Sequence, residues 1–128
     1  SMTKKFITTT EAPAAIGVYS QAVVSGNTLY ISGQIPLVPD SMEIVSENIE
    51  AQIEQVFDNL TAICLEAGAK LDDTIKFNVY LTDLAHFPKV NTAMEQRLAA
   101  PYPARAVVEV SALPKGVQVE VDAIVDLS

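Results

Sequence analysis

Arg105 and Glu120 are the two residues of this sequence whose types and placing suit chemistry on a small organic acid. An arginine fork grips a carboxylate through two parallel hydrogen bonds, and a glutamate beside it can take a proton from water. Both fall in β-prone runs, Arg105 to Val110 and Val117 to Val125. The intervening Pro114-Lys115-Gly116 reads as a hairpin connection. If Val110 pairs with Val117, Arg105 lies opposite Asp122 and diagonal to Glu120, about 7–8 Å away between Cα atoms. The same spacing suits a structural cross-strand ion pair equally well, and periodicity does not choose between the two.

Other chemistries have less to stand on. The sequence holds no Gly-rich phosphate loop and no metal-spaced pair of Cys or His, so neither a metal nor a phosphate cofactor is expected. His86, the single histidine, follows a strand and precedes a helix, where a surface or capping role is the plainer reading. A Ser-His-Asp triad would need it, yet no Gly-x-Ser-x-Gly turn presents a serine. Cys64 lies on a helical apolar stripe and reads as a small buried hydrophobe.

The elements that must hold Arg105 and Glu120 follow from hydrophobic period. Val18 to Val24 and Thr28 to Ser32 are β-prone and separated by Ser25-Gly26-Asn27, a hairpin signal in which Gly26-Asn27 supplies positive φ. Glu47 to Ala67 carries Ile49, Ile53, Val56, Phe57, Leu60, Ile63 and Cys64 at spacings of three and four, which predicts a helix packed on one face. Ser46 is its expected N-cap and Gly68 its stop. Thr74 to Leu81 alternates as a strand, with Ile75, Phe77, Val79 and Leu81 on one face. Phe87 to Leu98 repeats at helical spacing, with Pro88 tolerated in the first turn. The order is ββαβαββ, with room for another short strand at Lys5 to Thr8.

Two helices cover only one face of such a sheet. On the last two strands Ala104, Ala106 and Val108, then Val119, Val121 and Ala123, are expected on the helix side. Arg105, Val107 and Glu109, then Glu120, Asp122 and Ile124, are expected on the other. That second face mixes apolar and charged side chains, as a subunit interface does, and predicts an oligomer.

The 128 residues suit a single domain spanning 1–128, with Ser1 ahead of Met2 looking like a remnant of recombinant expression. A hydrophobic share of 49% predicts a folded globular chain. Eight basic against sixteen acidic residues give a formal charge of -8 and a pI near 4.4, so nucleic acid and anionic lipid are poor partners. One cysteine and no apolar run long enough to span a bilayer favour the cytoplasm.

The segment Pro103-Ala104-Arg105-Ala106-Val107-Val108-Glu109-Val110, with Leu113-Pro114 and Val119-Glu120-Val121, resembles the signature of the RidA family, also called the YjgF family. Earlier matches are Ala12-Pro13-Ala14-Ala15-Ile16-Gly17 with Tyr19, Ser32-Gly33-Gln34-Ile35-Pro36, Gly68 and Val90-Asn91, so the resemblance covers nearly the whole chain. It implies an α+β, chorismate mutase-like ββαβαββ subunit, with a mixed sheet and two helices on one face, assembled as a homotrimer with clefts between subunits. It implies cofactor-free hydrolysis of enamine and imine acids such as 2-aminoacrylate and 2-iminobutyrate to 2-keto acids and ammonia. Pyridoxal-phosphate dehydratases would then be the source of substrate. Arg105 would bind the carboxylate and Glu120 activate water, while Tyr19, Ser32, Gly33, Asn91 and Val107 would line the pocket. The sequence departs from the family at Val18, where many members have proline, at Val107, where cysteine is common, and in a short approach to Pro103. A non-catalytic carboxylate-binding trimer is the second reading. An endoribonuclease or translation inhibitor, a role attached to relatives, is the third and fits the acidic charge least.

Overall fold

The computed structural model describes residues 3–128, so the reading of Ser1 lies outside the described residues. In chain order the elements are β1 (Lys5–Ile7), β2 (Ala22–Ser25), β3 (Thr28–Gln34), α1 (Ile49–Glu66), β4 (Thr74–Leu81), α2 (Phe87–Arg97), β5 (Ala104–Glu109) and β6 (Val119–Asp126). The six strands form one mixed sheet in the order β1-β2-β3-β6-β4-β5. The fold is α+β, and the short first strand at Lys5 is real.

The apolar stripe of α1 forms the centre of the core. Ile53, Val56, Phe57, Leu60, Ile63 and Cys64 are buried against Leu29, Phe77, Val79, Val121 and Ala123 of the sheet. Phe57 meets Phe77 edge to face at 5.8 Å, a pairing worth about 0.5–1.5 kcal/mol beyond its buried area. Burial pushes the Cys64 thiol up to about 12, which keeps it protonated and unreactive.

Local details depart from sequence expectation for identifiable reasons. The helix starts at Ile49, because the Asn48 side chain, rather than Ser46, accepts the Ala51 amide; Ser46 instead accepts the amide of Asn48. The hairpin after Ser25 forms as expected, with Ser25 opposite Thr28, but only Gly26 of the two loop residues has positive φ. Val18 is fully exposed in a loop and the strand begins only at Ala22. A bulge between Thr74 and Lys76 buries Thr74 and turns Ile75 outward.

The largest correction concerns the last two strands. They do not form a hairpin: β5 pairs only with β4, in parallel, and β6 inserts between β3 and β4. Parallel neighbours need a crossover, which α2 supplies, and residues 110–118 carry the chain past the ends of β4 and β5 to the other side of β4. The register therefore puts Arg105 beside Phe77 and Val107 beside Val79, on the face toward α2. Ala104, Ala106 and Val108 face away, the reverse of the expected pattern for β5; the expected pattern for β6 holds.

Candidate functional site

The structure sorts the expected site residues into two clefts. Arg105, on the edge strand β5, leans over α2, where its Nη1 donates to Asn91 Oδ1 and lies 3.6 Å from Met94 Sδ. Its guanidinium carbon stands 4.8 Å from the centre of the Phe87 ring, within cation–π range. Among the described residues no carboxylate lies within ion-pairing distance of Arg105, so the structural ion pair drawn from the hairpin reading does not form. Glu95, Tyr102 and Pro103 complete an open cleft of about 460 Å³ around this fixed and unpaired cation. Val107, two residues on and on the same face, is half-buried against the core beneath.

Glu120 belongs to the second cleft, about 620 Å³, with Tyr19, Ser32 and Gly33 around it and Pro13, Ile16 and Lys115 at its rim. It sits on the open face of β6, directly across from Tyr80. Burial holds its carboxyl above the usual carboxylate range, and the charge of neighbouring Asp122 adds to the rise. Asp122 is itself fixed: it accepts from Asn78 Nδ2 at 2.8 Å and from the Tyr80 hydroxyl at 3.0 Å. The Tyr80 phenol is raised in turn, first by burial and then by that hydrogen bond. Ser32 and Gly33 stand at a bulge, between the Ile31–Ala123 and Gln34–Val121 pairs, which re-aims them from the ladder toward the cleft. The Ser32 hydroxyl donates to the Ser20 carbonyl at 2.6 Å, so only its oxygen remains to accept from a ligand.

Arg105 and Glu120 are thus not neighbours. They lie on opposite faces of the sheet with β4 between their strands. Asn91 goes with Arg105; Tyr19, Ser32 and Gly33 go with Glu120. His86 is half-buried before α2 and makes no side-chain cap there. Among the described residues no three His, Cys, Asp or Glu side chains gather as a metal site.

Buried amides that sequence reasoning passed over hold both walls of the Glu120 cleft. Gln52 accepts the amide of Gln118, two residues before Glu120, and donates to the Ser46 carbonyl. Asn59 donates to the carbonyls of Leu37 and Ile35, the cleft floor. Gln21 accepts the Thr9 amide and donates to the carbonyls of Thr9 and Pro13, tying down the loop that carries Tyr19. Gln52 and Asn59 fall on the apolar stripe of α1, and a polar residue at a buried helical position is itself a signal that something must satisfy it.

Two helices on one face of a six-stranded mixed sheet, with open clefts at its surface, define the chorismate mutase-like class of small α+β proteins. Residues 9–127 match the family model described as Endoribonuclease L-PSP. A crystal structure of RidA from an Antarctic Psychrobacter is similar at a TM-score of 0.92 and 53% identity, over 95% of this chain and 98% of that one. A 2-iminobutanoate/2-iminopropanoate deaminase of Dermatophagoides farinae is 41% identical over 95% of each chain. Escherichia coli TdcF, solved with bound serine, superimposes at a TM-score of 0.89 with 38% identity, over 97% of this chain and 99% of that one. The chain belongs to the RidA/YjgF/RutC family.

Proposed function

We propose that the protein hydrolyses reactive 2-enamino and 2-imino acids to 2-keto acids and ammonia, in clefts completed by a neighbouring subunit of a homotrimer. The observation that carries this reading is the state of Arg105: a guanidinium fixed by Phe87, Asn91 and Met94, facing an open cleft, with no carboxylate within ion-pairing distance among the described residues. Such a group is preorganised for the carboxylate of a ligand. A small amino-acid-like ligand suits such a group; TdcF was solved with bound serine, and relatives about 40% identical carry deaminase names.

The chemistry asks little of the protein. An enamine tautomerises to an imine whose carbon is already electrophilic. Water adds to the protonated imine carbon as Glu120 takes one of its protons, giving a carbinolamine; that proton is returned to the nitrogen, the C–N bond breaks as ammonia leaves, and the hydroxyl gives up its proton to solvent, leaving the keto acid. A carboxyl raised by burial and by Asp122 exchanges protons closer to neutrality than a solvated one. Because Glu120 and Arg105 occupy opposite faces of one sheet, a single subunit cannot bring both to one small substrate. The Glu120 face of one copy set against the Arg105 edge of the next would do so. With no cofactor in this scheme, substrate would come from enzymes that release 2-aminoacrylate or its homologue, such as pyridoxal-phosphate dehydratases.

The test generates 2-iminobutyrate in situ from threonine with a dehydratase and follows keto-acid and ammonia release. Wild type should accelerate release, and Glu120→Gln, which keeps shape but loses the base, should lower turnover by about 10²–10⁴-fold. A wild-type protein that binds 2-oxobutyrate but leaves the release rate unchanged is a carboxylate-binding trimer instead.

A further inference from the structure

Gly33 raises a question that its backbone does not answer. Glycine inside a strand is less favourable than alanine, so its presence there wants a reason in geometry or in space. Gly17, Gly26, Gly68 and Gly116 have the reason of geometry, with φ of 120°, 61°, 82° and 70°. Gly33 is not among the positive-φ residues, and its backbone would accept any side chain. What its position lacks is space. A Cβ placed on Gly33 would overlap Glu120 Oε2, with Glu120 Cδ at 2.9 Å and Cγ at 3.3 Å. These are the three nearest atoms, and all belong to one flexible side chain.

We propose that Gly33 is a positioning residue acting through Glu120: the missing side chain is the seat on which the Glu120 carboxylate lies. The bulge at Ser32-Gly33 pushes this bare stretch of backbone to the edge of β6, and the carboxylate folds down onto it. Seated there, the carboxylate is shielded on one side by peptide, while Tyr80 from β4, Asp122 from its own strand, and Tyr19 and Lys115 from the flanking loops surround the rest. An alanine at 33 costs the fold little, because only a side-chain end must give way. It costs the site its base, because Glu120 must rotate off the seat into solvent.

The kinetic arm of the test rests on the deaminase reading; the spectroscopic arm does not. Wild type, Gly33→Ala, Glu120→Gln and the double variant are compared in the assembled protein. In Gly33→Ala we expect kcat to fall by about 10–100-fold, with the acid limb of the pH profile moved to lower pH and thermal stability near wild type. In the Glu120→Gln background the same alanine should lower kcat no further, the non-additivity of residues acting as one unit. The Glu120 carboxyl, followed by carbon NMR, should titrate at lower pH in Gly33→Ala whether or not the protein turns over an imine. An unchanged Glu120 titration, or an equal loss of rate in both backgrounds, overturns the proposal. If wild type hydrolyses no imine while the titration moves, the deaminase reading falls and the seat stands. Should Gly33→Ala fold poorly, adding Glu120→Ala removes the overlap and should restore the thermal midpoint; failure to restore it counts against the seat.

Discussion

At the residue scale, the candidate residues were legible and their company was not. Arg105 and Glu120 stand out by chemistry alone, yet the common hairpin read for them is absent, so neither a shared site within one chain nor an ion pair between them forms, and this reverses a stability argument. Among the described residues Glu120 has no salt-bridge partner, and its raised carboxyl means the folded chain holds the proton more tightly than the unfolded chain. Stability is therefore lost as pH rises from the unfolded carboxylate value through the folded one. Glu120→Gln removes that loss. Its thermal midpoint should exceed wild type at pH 7 and converge with it below the ordinary carboxylate range, read by calorimetry at both pH values. Arg105→Lys tests the other half. Lysine keeps the charge but not the fork or the flat stacking on Phe87, so 2-oxobutyrate affinity should drop by roughly ten- to a hundredfold by titration calorimetry. Gly33 was legible only as part of a motif; the reason for it required the bulge and the lean of Glu120.

At the scale of elements, the long helix, the first hairpin and the strand from Thr74 were readable because each repeats its period over many residues. The partner of β5 was not, because alternation assigns faces only once the neighbour is known. Pro114-Lys115-Gly116 resembled a hairpin turn, with Lys115 and Gly116 indeed at positive φ. But a helix lies between β4 and β5, and a strand-helix-strand unit is what places two strands in parallel. Weighing that crossover against the turn would have put Arg105 over α2. The buried amides of α1 are the element-scale device that holds the Glu120 cleft. Asn59→Ala strands the buried Leu37 carbonyl, so it should cost about 1–3 kcal/mol. It should also raise KM by slackening the floor, read from urea denaturation at fixed protein concentration together with steady-state rates.

At the scale of the whole molecule, the open face is what a single chain leaves unfinished. Phe6, Val23, Tyr30, Ile124, Lys76 and Ala104 form one row across it, strand by strand, and Phe6 and Tyr30 are each about half or more exposed. A neighbour covering that row would exclude water from aromatic surface, and would also bring a second chain to the Glu120 side. The proposed trimer therefore makes a prediction that no single-chain site can satisfy. Arg105→Ala and Glu120→Gln are each expected to be inactive alone. In a closed ring of three, a cleft taking Arg105 from one subunit and Glu120 from the next is intact whenever a Glu120→Gln subunit donates the arginine to an Arg105→Ala subunit. Random reassembly of an equal mixture leaves about one cleft in four intact, by the product of two even chances around such a ring. Mixing under conditions that exchange subunits should thus recover roughly a quarter of wild-type turnover from two dead proteins, with light scattering reporting three copies of 13.7 kDa. No recovery in a mixture shown by mass spectrometry to contain hybrid trimers would place both residues' work within one chain, against the separation that β4 imposes on them.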